Sequence, residues 1–270
     1  MNTYCNFSII TIVYNDVSRI KETILSVINQ SHKQIEYILI DGRSNDGTKE
    51  AIYEYISSCA EITLEKTENE RYYLEATHKE YLTFTFKFLS EKDKGIYDAM
   101  NKGIALATKE WINFMNCGDK FYSSMVLDRI AKKDIERYDV IYGDTLITEN
   151  SKTFLSVSSK NIKNRMPFCH QSSFVKTCIL TSILFDTSYK ICADNDFFMK
   201  LYHSQYKFIK IDIPISIYSL DGLSSSLSWQ FFYEECKIGF KYNRFFPLYL
   251  IIKWILWTIP KKQIKKLFMP

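Results

Sequence analysis

The chain of 270 residues lacks the cysteine pattern of a disulfide-stabilised or zinc-binding protein. Its seven cysteines are an odd number, and no two of them form a Cys-x-x-Cys pair. Disulfide frameworks and structural zinc sites both depend on paired cysteines at regular spacing. The sequence therefore indicates neither class, and its cysteine usage is typical of a protein in a reducing cytoplasm.

Strong charge and a targeting signal are also missing. A net charge of +4 is too small to indicate nucleic-acid binding, because nucleic-acid-binding proteins concentrate a basic excess on one face. The sequence MNTYCNFSIITIVYN has no basic start followed by an apolar segment and a cleavage site. We find no internal repeat and no low-complexity tract. We therefore expect a cytoplasmic protein with no nucleic-acid partner, whose core fills one large domain or two small ones.

Strand and helix patterns alternate along the first half of the chain. β-Branched runs such as FSIITIV indicate strands covered on both faces, and the segments between them carry apolar residues at helical spacing. Strands are predicted over 7–13, 35–40 and 111–115, and helices over 17–30, 48–57 and 97–107. This order predicts an α/β fold with a Rossmann-like, mixed, mainly parallel central sheet flanked by helices.

A polar break follows three of the predicted strands: YND, DGRSNDG and NCGD. Each break alone is an ordinary turn signal. In an open α/β sheet, however, ligands bind outside the carboxyl ends of the strands. The three breaks together therefore predict a ligand crevice at one edge of the sheet.

Five motifs carry a specific resemblance to a known family: SIITIVYN, LIDGRSNDGT, EKDKGIYDAMNKGIALATKEWINFMNCGD, CHQSSF and ADNDFFMKL. Over roughly residues 6 to 220, the chain resembles the family 2 glycosyltransferases of the GT-A fold, in particular the bacterial enzymes that build O-antigens and other surface polysaccharides. The resemblance implies inverting transfer of a sugar from a nucleotide-diphosphate donor, which we expect to be a UDP-sugar. The expected acceptor is a polyprenyl-diphosphate-linked saccharide in O-antigen or capsular polysaccharide biosynthesis.

The first two strand ends could hold the base and ribose of such a donor, since backbone amides and a carboxylate supply hydrogen bonds there. The resemblance assigns Asp41 to a nucleotide-binding acid pair whose second member is Gly42 in this chain. Tyr14 either stacks on the base or is a partly buried aromatic residue. The candidates are Thr11, Tyr14, Asn15, Asp41 and Arg43.

The diphosphate side of the donor is predicted at the start of the third helix. There Asp93–Gly95 would offer free amides, a favourable helix dipole and the Lys94 ammonium. The alternative is that Lys94 is a solvated surface charge. By family position Asp98 contacts the donor, or else it pairs with Lys102 on the helix surface. The candidates are Asp93, Lys94, Gly95, Asp98, Asn101 and Asn116.

Asp119 is the predicted metal ligand. Mg²⁺ or Mn²⁺ bound to a diphosphate takes one or two protein carboxylates, and phosphate oxygens with water complete its shell. The family motif often has the form Asp-x-Asp, whereas Asn116 and Gly118 stand here where further acids could be. The alternative is that Asp119 caps the following helix.

Asp194 matches the position of the family's catalytic base, which takes the proton of the acceptor hydroxyl. Asp196 then caps the helix that follows, although the two roles could be exchanged. Upstream, His170 and Gln171 resemble the stretch that faces the acceptor or the diphosphate.

Two segments lie outside these motifs. We expect residues 1–225 to form the GT-A domain, with 58–90 as an insertion at the sheet edge that has no catalytic role and includes a strand at LTFTFKFL. Residues 226–270 are expected to be helical, and their end is aromatic and basic, with Trp254, Trp257 and four lysines. Its apolar part is too short to span a bilayer, which takes about 20 residues. It therefore either lies as an amphipathic helix on the anionic inner face of the inner membrane, or packs on its own domain or a homodimer interface.

Two other classes remain open. A non-catalytic sugar-nucleotide-binding or scaffold protein would tolerate the incomplete metal motif, but it has no use for a base. A nucleotidyltransferase usually carries a glycine-rich phosphate loop after its first strand, and TIVYNDVSR contains no glycine.

Overall fold

The computed structural model describes residues 5–149, 152–163, 165–219, 229–243 and 245–253. The strands are β1 (Phe7–Val13), β2 (Ile35–Asp41), β3 (Ala60–Glu68), β4 (Arg71–His78), β5 (Thr85–Ser90), β6 (Trp111–Phe114), β7 (Lys120–Phe121), β8 (Val140–Glu149), β9 (Lys152–Ser156), β10 (Ser173–Lys176) and β11 (Phe208–Ser219). The helices are α1 (Val17–Ile28), α2 (Thr48–Cys59), α3 (Ile96–Leu106), α4 (Val126–Ala131), α5 (Thr177–Ser182), α6 (Ala193–His203), α7 (Trp229–Tyr242) and α8 (Phe246–Lys253).

The described strands form one mixed sheet in the order β3-β4-β5-β2-β1-β6-β10-β8-β11-β7, and β9 pairs with β8. The neighbours β5, β2, β1 and β6 are parallel, as is the pair β8 and β11. The other pairings are antiparallel. The α/β fold with a mixed sheet is confirmed, and its parallel pairings are those of the four central strands and of β8 with β11.

The segment 58–90 divides between the edge and the centre of the sheet. Strands β3 and β4 form an antiparallel hairpin at the edge. Strand β5, predicted from LTFTFKFL, instead lies between β4 and β2 and pairs with β2 in parallel. Only the hairpin is therefore peripheral, and β5 is part of the parallel core.

Helices cover both faces of the central strands. On β1, Ile9 packs in the cluster that includes α1 and α2, while Ile10 packs with α3 and α6 on the other face. Burial of one such side chain stabilises a fold by roughly 1.5–3 kcal/mol. Helix α3 lies close to β1 at Gly103, where a Cβ atom would collide with Ile10. This two-sided packing fixes the strands, and their polar carboxyl ends lie along one edge.

Of the last two described helices, α7 packs on α6 and α8 packs on α7. Ile238 of α7 is buried in the cluster that contains α6, and Gly239 lies directly against Phe246 of α8. Other apolar side chains of this pair are exposed: Trp229, Tyr233, Phe240, Leu248, Ile251 and Ile252. None of the helices in the described residues is both long and apolar enough to cross a bilayer.

Candidate active site

The three predicted polar breaks do meet at one edge of the sheet. Val13 at the end of β1 is in register with Asp41 at the end of β2, and Asp41 with Ser90 at the end of β5. Beyond β6, the amides of Met115 and Cys117 continue to bond carbonyl oxygens of β1. The NCGD turn is therefore held beside the YND loop.

Asp194 lies in the first turn of α6, and its side chain is 15% exposed. One carboxylate oxygen accepts hydrogen bonds from the Asn195 amide at 2.8 Å and the Tyr97 hydroxyl at 3.2 Å. The other lies 3.2 Å from Nδ1 of His170. The carboxylate is therefore fixed in orientation but still accessible.

These contacts keep Asp194 ionised. Burial favours the neutral acid, but the hydrogen bonds from His170, Asn195 and Tyr97 outweigh it, so the pKa of Asp194 lies below the usual 3.8. Burial and the neighbouring carboxylate raise the pKa of Tyr97 well above its ordinary value, so the tyrosine stays a neutral donor. An ionised carboxylate can accept a proton, as a general base must.

His170 connects Asp194, the candidate base, to the NCGD turn. Nδ2 of Asn116 lies 3.0 Å from Nε2 of His170. Because an amide nitrogen can only donate, Nε2 is the acceptor and Nδ1 carries the proton that points to Asp194. The predicted residues Asn116, His170 and Asp194 thus form one hydrogen-bonded chain.

Gln171 makes the corresponding connection to the predicted metal ligand. Its Nε2 donates to Oδ2 of Asp119 at 2.8 Å, and Asp119 is 5% exposed. Strand β7 follows Asp119 directly, so Asp119 does not cap a helix. Consecutive residues, His170 and Gln171, therefore contact Asp194, the candidate base, and Asp119, the candidate metal ligand.

Gly118 of the NCGD turn has a conformation that disfavours a side chain. Gly118 has φ +93°, a left-handed conformation that side chains rarely adopt. Its amide bonds Oγ1 of Thr23 at 3.0 Å, and that hydroxyl donates to the Asp119 carbonyl at 2.9 Å. A Cβ atom at Gly118 would also lie 3.2 Å from the Arg19 guanidinium. Glycine is therefore required where an Asp-x-Asp motif would place an acid.

The residues around this turn fit a divalent metal only together with a diphosphate. The described residues contain no group of three or more His, Cys, Asp or Glu that could hold a metal. Asp119 supplies a carboxylate, and Oδ1 of Asn116 is a buried oxygen with no hydrogen-bond partner. Both are oxygen ligands of the kind that Mg²⁺ and Mn²⁺ prefer. The remaining ligands would be phosphate oxygens and water.

Some predicted donor residues organise the loops. Both oxygens of Asp41 accept hydrogen bonds from Ser44, and Oδ2 also accepts one from Ser90 at 2.6 Å. Oδ1 of Asn15 accepts the Asn45 amide at 2.9 Å. Asp41 and Asn15 therefore fix the two loops that border the crevice.

Thr11 and Asn101 are not available to a donor, which corrects the prediction for both. Thr11 is fully buried, and its hydroxyl donates to the Met115 carbonyl at 2.7 Å. Nδ2 of Asn101 donates to the Phe185 carbonyl at 2.9 Å, and Oδ1 of Asn101 accepts the Phe185 amide at 3.0 Å. Thr11 therefore belongs to the interior that supports the site, whereas the partly exposed Asn101 links α3 to the segment that follows α5.

Tyr14, Gly42 and Asp93 come together at the mouth of the crevice. A Cβ atom at Gly42 would collide with Oδ2 of Asp93 and lie 3.2 Å from the Tyr14 ring. The space that a second acid at position 42 would need is therefore filled by Asp93. Tyr14 is 64% exposed, which favours a stacking surface over a buried aromatic.

The backbone amides at the start of α3 are already bonded by side chains of the same segment. Oδ2 of Asp98 accepts the Lys94 amide at 3.0 Å and lies 3.5 Å from the Lys102 ammonium. Oδ1 of Asp93 accepts the Gly95 amide at 2.9 Å. Lys94 itself is exposed beside these amides.

The hairpin β3–β4 reaches the donor loops, which the sequence did not predict. Glu70, at its turn, forms a two-pronged ion pair with Arg43 at 2.5 and 2.8 Å. Arg71 pairs with Glu91 at 3.0 Å, just beyond β5. The turn therefore borders the loop that carries Arg43.

Glu70→Ala should lower the KM for the nucleotide sugar by about two- to fivefold, because the Glu70 carboxylate occupies the guanidinium that the donor would use. An exposed pair contributes at most about 1 kcal/mol, so stability should hardly change. Steady-state kinetics with varied donor measures this effect. Glu68→Ala on the same hairpin is the control, and an Arg43→Ala variant with unchanged donor KM would contradict the assignment of Arg43.

The fold and the site define a class of protein. Two carboxylates, a candidate base and a candidate ligand for a diphosphate-bound metal, are linked through His170 and Gln171 near the carboxyl ends of the central strands, as expected for a nucleotide-dependent transferase. The chain belongs to glycosyl transferase family 2, whose family model matches residues 8–186. It is thus a glycosyltransferase, as predicted.

Relatives and solved structures agree with this family. The chain is 22% identical over 254 residues to a PGL/p-HBAD biosynthesis glycosyltransferase of Mycobacterium bovis (strain BCG / Pasteur 1173P2), covering 92% of this chain and 90% of that protein. S. aureus TarS 1-349 in complex with UDP superposes with a TM-score of 0.62 at 18% identity, covering 86% of this chain and 64% of that one. Mannosyltransferase PcManGT from Pyrobaculum calidifontis, in complex with GDP-Man and Mn²⁺, superposes with a TM-score of 0.59 at 14% sequence identity. The match covers 82% of this chain and 59% of that one. The chain spans less than two thirds of either solved chain, and at these identities the likeness confirms the GT-A fold alone.

Proposed function

We propose that the protein transfers a sugar from a UDP-sugar to an acceptor hydroxyl with inversion, and that Asp194 is the base. The observation that carries this proposal is the link Asp194–His170–Gln171–Asp119, in which two adjacent residues bind the base and the metal candidate. Direct displacement needs these groups on opposite sides of the reacting carbon, one at the incoming hydroxyl and one at the departing diphosphate.

The chain's own residues account for most of the reaction. The donor lies in the strand-end crevice, with its base near Tyr14 and its diphosphate near the NCGD turn. Asp194 accepts the proton of the acceptor hydroxyl while that oxygen attacks the anomeric carbon. His170 and Tyr97 hold the carboxylate and stabilise its orientation. A Mg²⁺ or Mn²⁺ ion at Asp119 and Asn116 would neutralise the charge that develops on the departing diphosphate.

A panel of UDP-, GDP- and dTDP-sugars, each with Mn²⁺ or Mg²⁺ and a lipid-diphosphate-sugar acceptor analogue, tests this proposal. Transfer from a UDP-sugar with inverted stereochemistry supports it. Transfer with retention, or from a GDP-sugar alone, would overturn the proposed mechanism or donor.

We also propose a lipid-linked saccharide acceptor, in O-antigen or capsular polysaccharide biosynthesis, and attachment to the cytoplasmic face of the inner membrane. The relatives named for PGL/p-HBAD biosynthesis support a lipid-linked acceptor. Exposed apolar side chains on α7 and α8 support attachment: Trp229, Tyr233, Phe240, Leu248, Ile251 and Ile252. Interfacial helices place such side chains among lipid headgroups. The predicted basic end of this segment, with Trp254, Trp257, Lys261, Lys262, Lys265 and Lys266, lies outside the described residues.

Replacing Trp229, Tyr233 and Phe240 together by Ser should reduce sedimentation with phosphatidylglycerol-rich vesicles at least about tenfold, since each buried aromatic contributes roughly 1.5–3 kcal/mol. Leu82→Ser, a change at a 79% exposed residue of the β4–β5 loop, should have no effect. A chain truncated after Arg244 that sediments like the full chain would count against the proposed role of the C-terminal end.

A further inference from the structure

Helix α7 places a buried carboxylate against the segment that leads into the base. Glu234 is 2% exposed, and its carboxylate accepts the backbone amides of Lys190, Ile191 and Cys192 at 2.9, 3.0 and 2.9 Å. Gln230, one turn earlier, donates to the same carboxylate at 2.6 Å. Three consecutive amides around one anion form a nest, and a buried amide without a partner is costly.

The same segment is held from its other side by a residue of the active site. The Tyr97 hydroxyl donates to the Ile191 carbonyl at 2.5 Å and also contacts Asp194 at 3.2 Å. Ile191 therefore has its amide on Glu234 and its carbonyl on Tyr97. Asp194 follows three residues later, at the second position of α6.

Further ion pairs keep α7 in place. The Lys241 ammonium lies 2.7 Å from Oδ1 of Asp196, in the first turn of α6. Glu235 pairs with Arg165 at 3.0 Å. Lys241 therefore links α7 to the start of α6 and Glu235 links it to Arg165, while Glu234 bonds the segment that leads into the proposed base.

We propose that Glu234 is a positioning residue for the base: by binding the amides of residues 190–192 it sets the place of Asp194 relative to the acceptor hydroxyl. The proposal rests on the proposed role of Asp194. A displacement of about 1 Å at a reacting group can cost about 100-fold in rate. Loss of the carboxylate is therefore expected to lower kcat without weakening nucleotide binding at the far side of the crevice.

The variants Glu234→Ala and Glu234→Gln test this role, with Glu36→Gln as a matched control. Glu36 is also a buried carboxylate that accepts several hydrogen bonds, from Ser8, Thr108 and Lys87. It lies near the amino end of β2, whereas the candidate site lies at the carboxyl ends of the central strands. The measurements are thermal stability, UDP affinity by calorimetry, amide hydrogen exchange over residues 190–196, and kcat with the nucleotide sugar that the donor panel identifies.

Glu234→Ala should lower kcat about 10- to 100-fold, leave UDP affinity within about twofold and speed exchange at residues 190–196. Glu234→Gln, which keeps one acceptor oxygen, should have a kcat between those of Glu234→Ala and the wild type. If Glu234→Ala does not fold, the kcat and exchange of Glu234→Gln test the proposal. In both variants the acidic limb of the pH profile of kcat should move to higher pH, because Asp194 loses well-placed donors. Glu36→Gln should lower stability without changing kcat or this limb.

Two results would overturn the proposal. One is a folded Glu234→Gln protein whose kcat and amide hydrogen exchange over residues 190–196 equal those of the wild type. The other is a Glu36→Gln protein that loses as much kcat as a Glu234 variant of equal stability. The hydrogen-exchange result does not depend on the reaction. Wild-type transfer by Asp194→Asn, in contrast, would remove the proposed base and leave the exchange result unaffected.

Discussion

Asp194→Asn should lower kcat for sugar transfer by about 10²- to 10⁴-fold, the usual contribution of a general base. Asparagine keeps the size of the side chain and one acceptor oxygen for the Tyr97 and Asn195 donors, but it cannot take a proton. UDP affinity, measured by calorimetry, should stay within about twofold. The alternative assignment is tested by Asp196→Asn, for which we expect a much smaller fall in kcat because Asp196 binds Lys241.

The pH profile gives an independent check on the same residue. Because the pKa of Asp194 lies below 3.8, its carboxylate is charged throughout the neutral range and becomes protonated only as the pH falls through that lower pKa. Ionisation of Asp194 should therefore not limit kcat between about pH 5 and pH 8. An Asp194→Asn variant that retains the wild-type rate across this range would show that another group is the base.

Asp119→Asn should have the second-largest effect, a fall of about 10²- to 10³-fold in kcat, comparable to removing one electrostatic contact to the transition state. The amide has the shape of the carboxylate and can still bond Gln171, so the NCGD turn should stay intact. What is lost is the negative charge that a divalent cation needs. Titration of activity with Mn²⁺ and Mg²⁺ at fixed donor concentration measures the change.

The matched control for this variant is Asp139→Asn. Asp139 likewise accepts a hydrogen bond, from the Lys207 backbone amide at 2.8 Å, but it lies just before the start of β8, away from the NCGD turn. It should change neither kcat nor the metal dependence. If Asp119→Asn had the wild-type rate and metal dependence, the metal candidate would have to be placed elsewhere.

Local sequence patterns were enough to predict the central elements. The run FSIITIV gave β1 with its observed bounds, and helical spacing placed α1, α2 and α3 within about two residues of their observed ends. The breaks after the strands were also predicted to meet, because parallel strands end at a common edge. Each of these inferences depends only on residues close together in the chain.

The errors concern partners far away in the sequence. The hydroxyl of Thr11 is buried against Met115, 104 residues later, and the amide of Asn101 is taken by Phe185, 84 residues later. No local pattern distinguishes such a side chain from one that faces a ligand. The same holds for Glu70, since a hairpin turn does not reveal which loop it will contact.

The antiparallel part of the sheet was underestimated for a related reason. Strands β7 and β10 are two and four residues long, too short for alternation to be recognised. Strand β5 was recognised as a strand, but its place beside β2 depends on pairing with a distant segment. Strand existence is a local property, whereas strand order is set by the whole chain.

The left-handed conformation of Gly118 has a consequence for the charge of the donor crevice. With glycine at this position the turn contributes one carboxylate, at Asp119, where a longer acidic motif would contribute two or three. A diphosphate approaching this turn therefore meets less repulsion before any cation neutralises it. Nucleotide affinity should accordingly depend less on Mn²⁺ than turnover does, so that the ion is needed chiefly when the diphosphate departs.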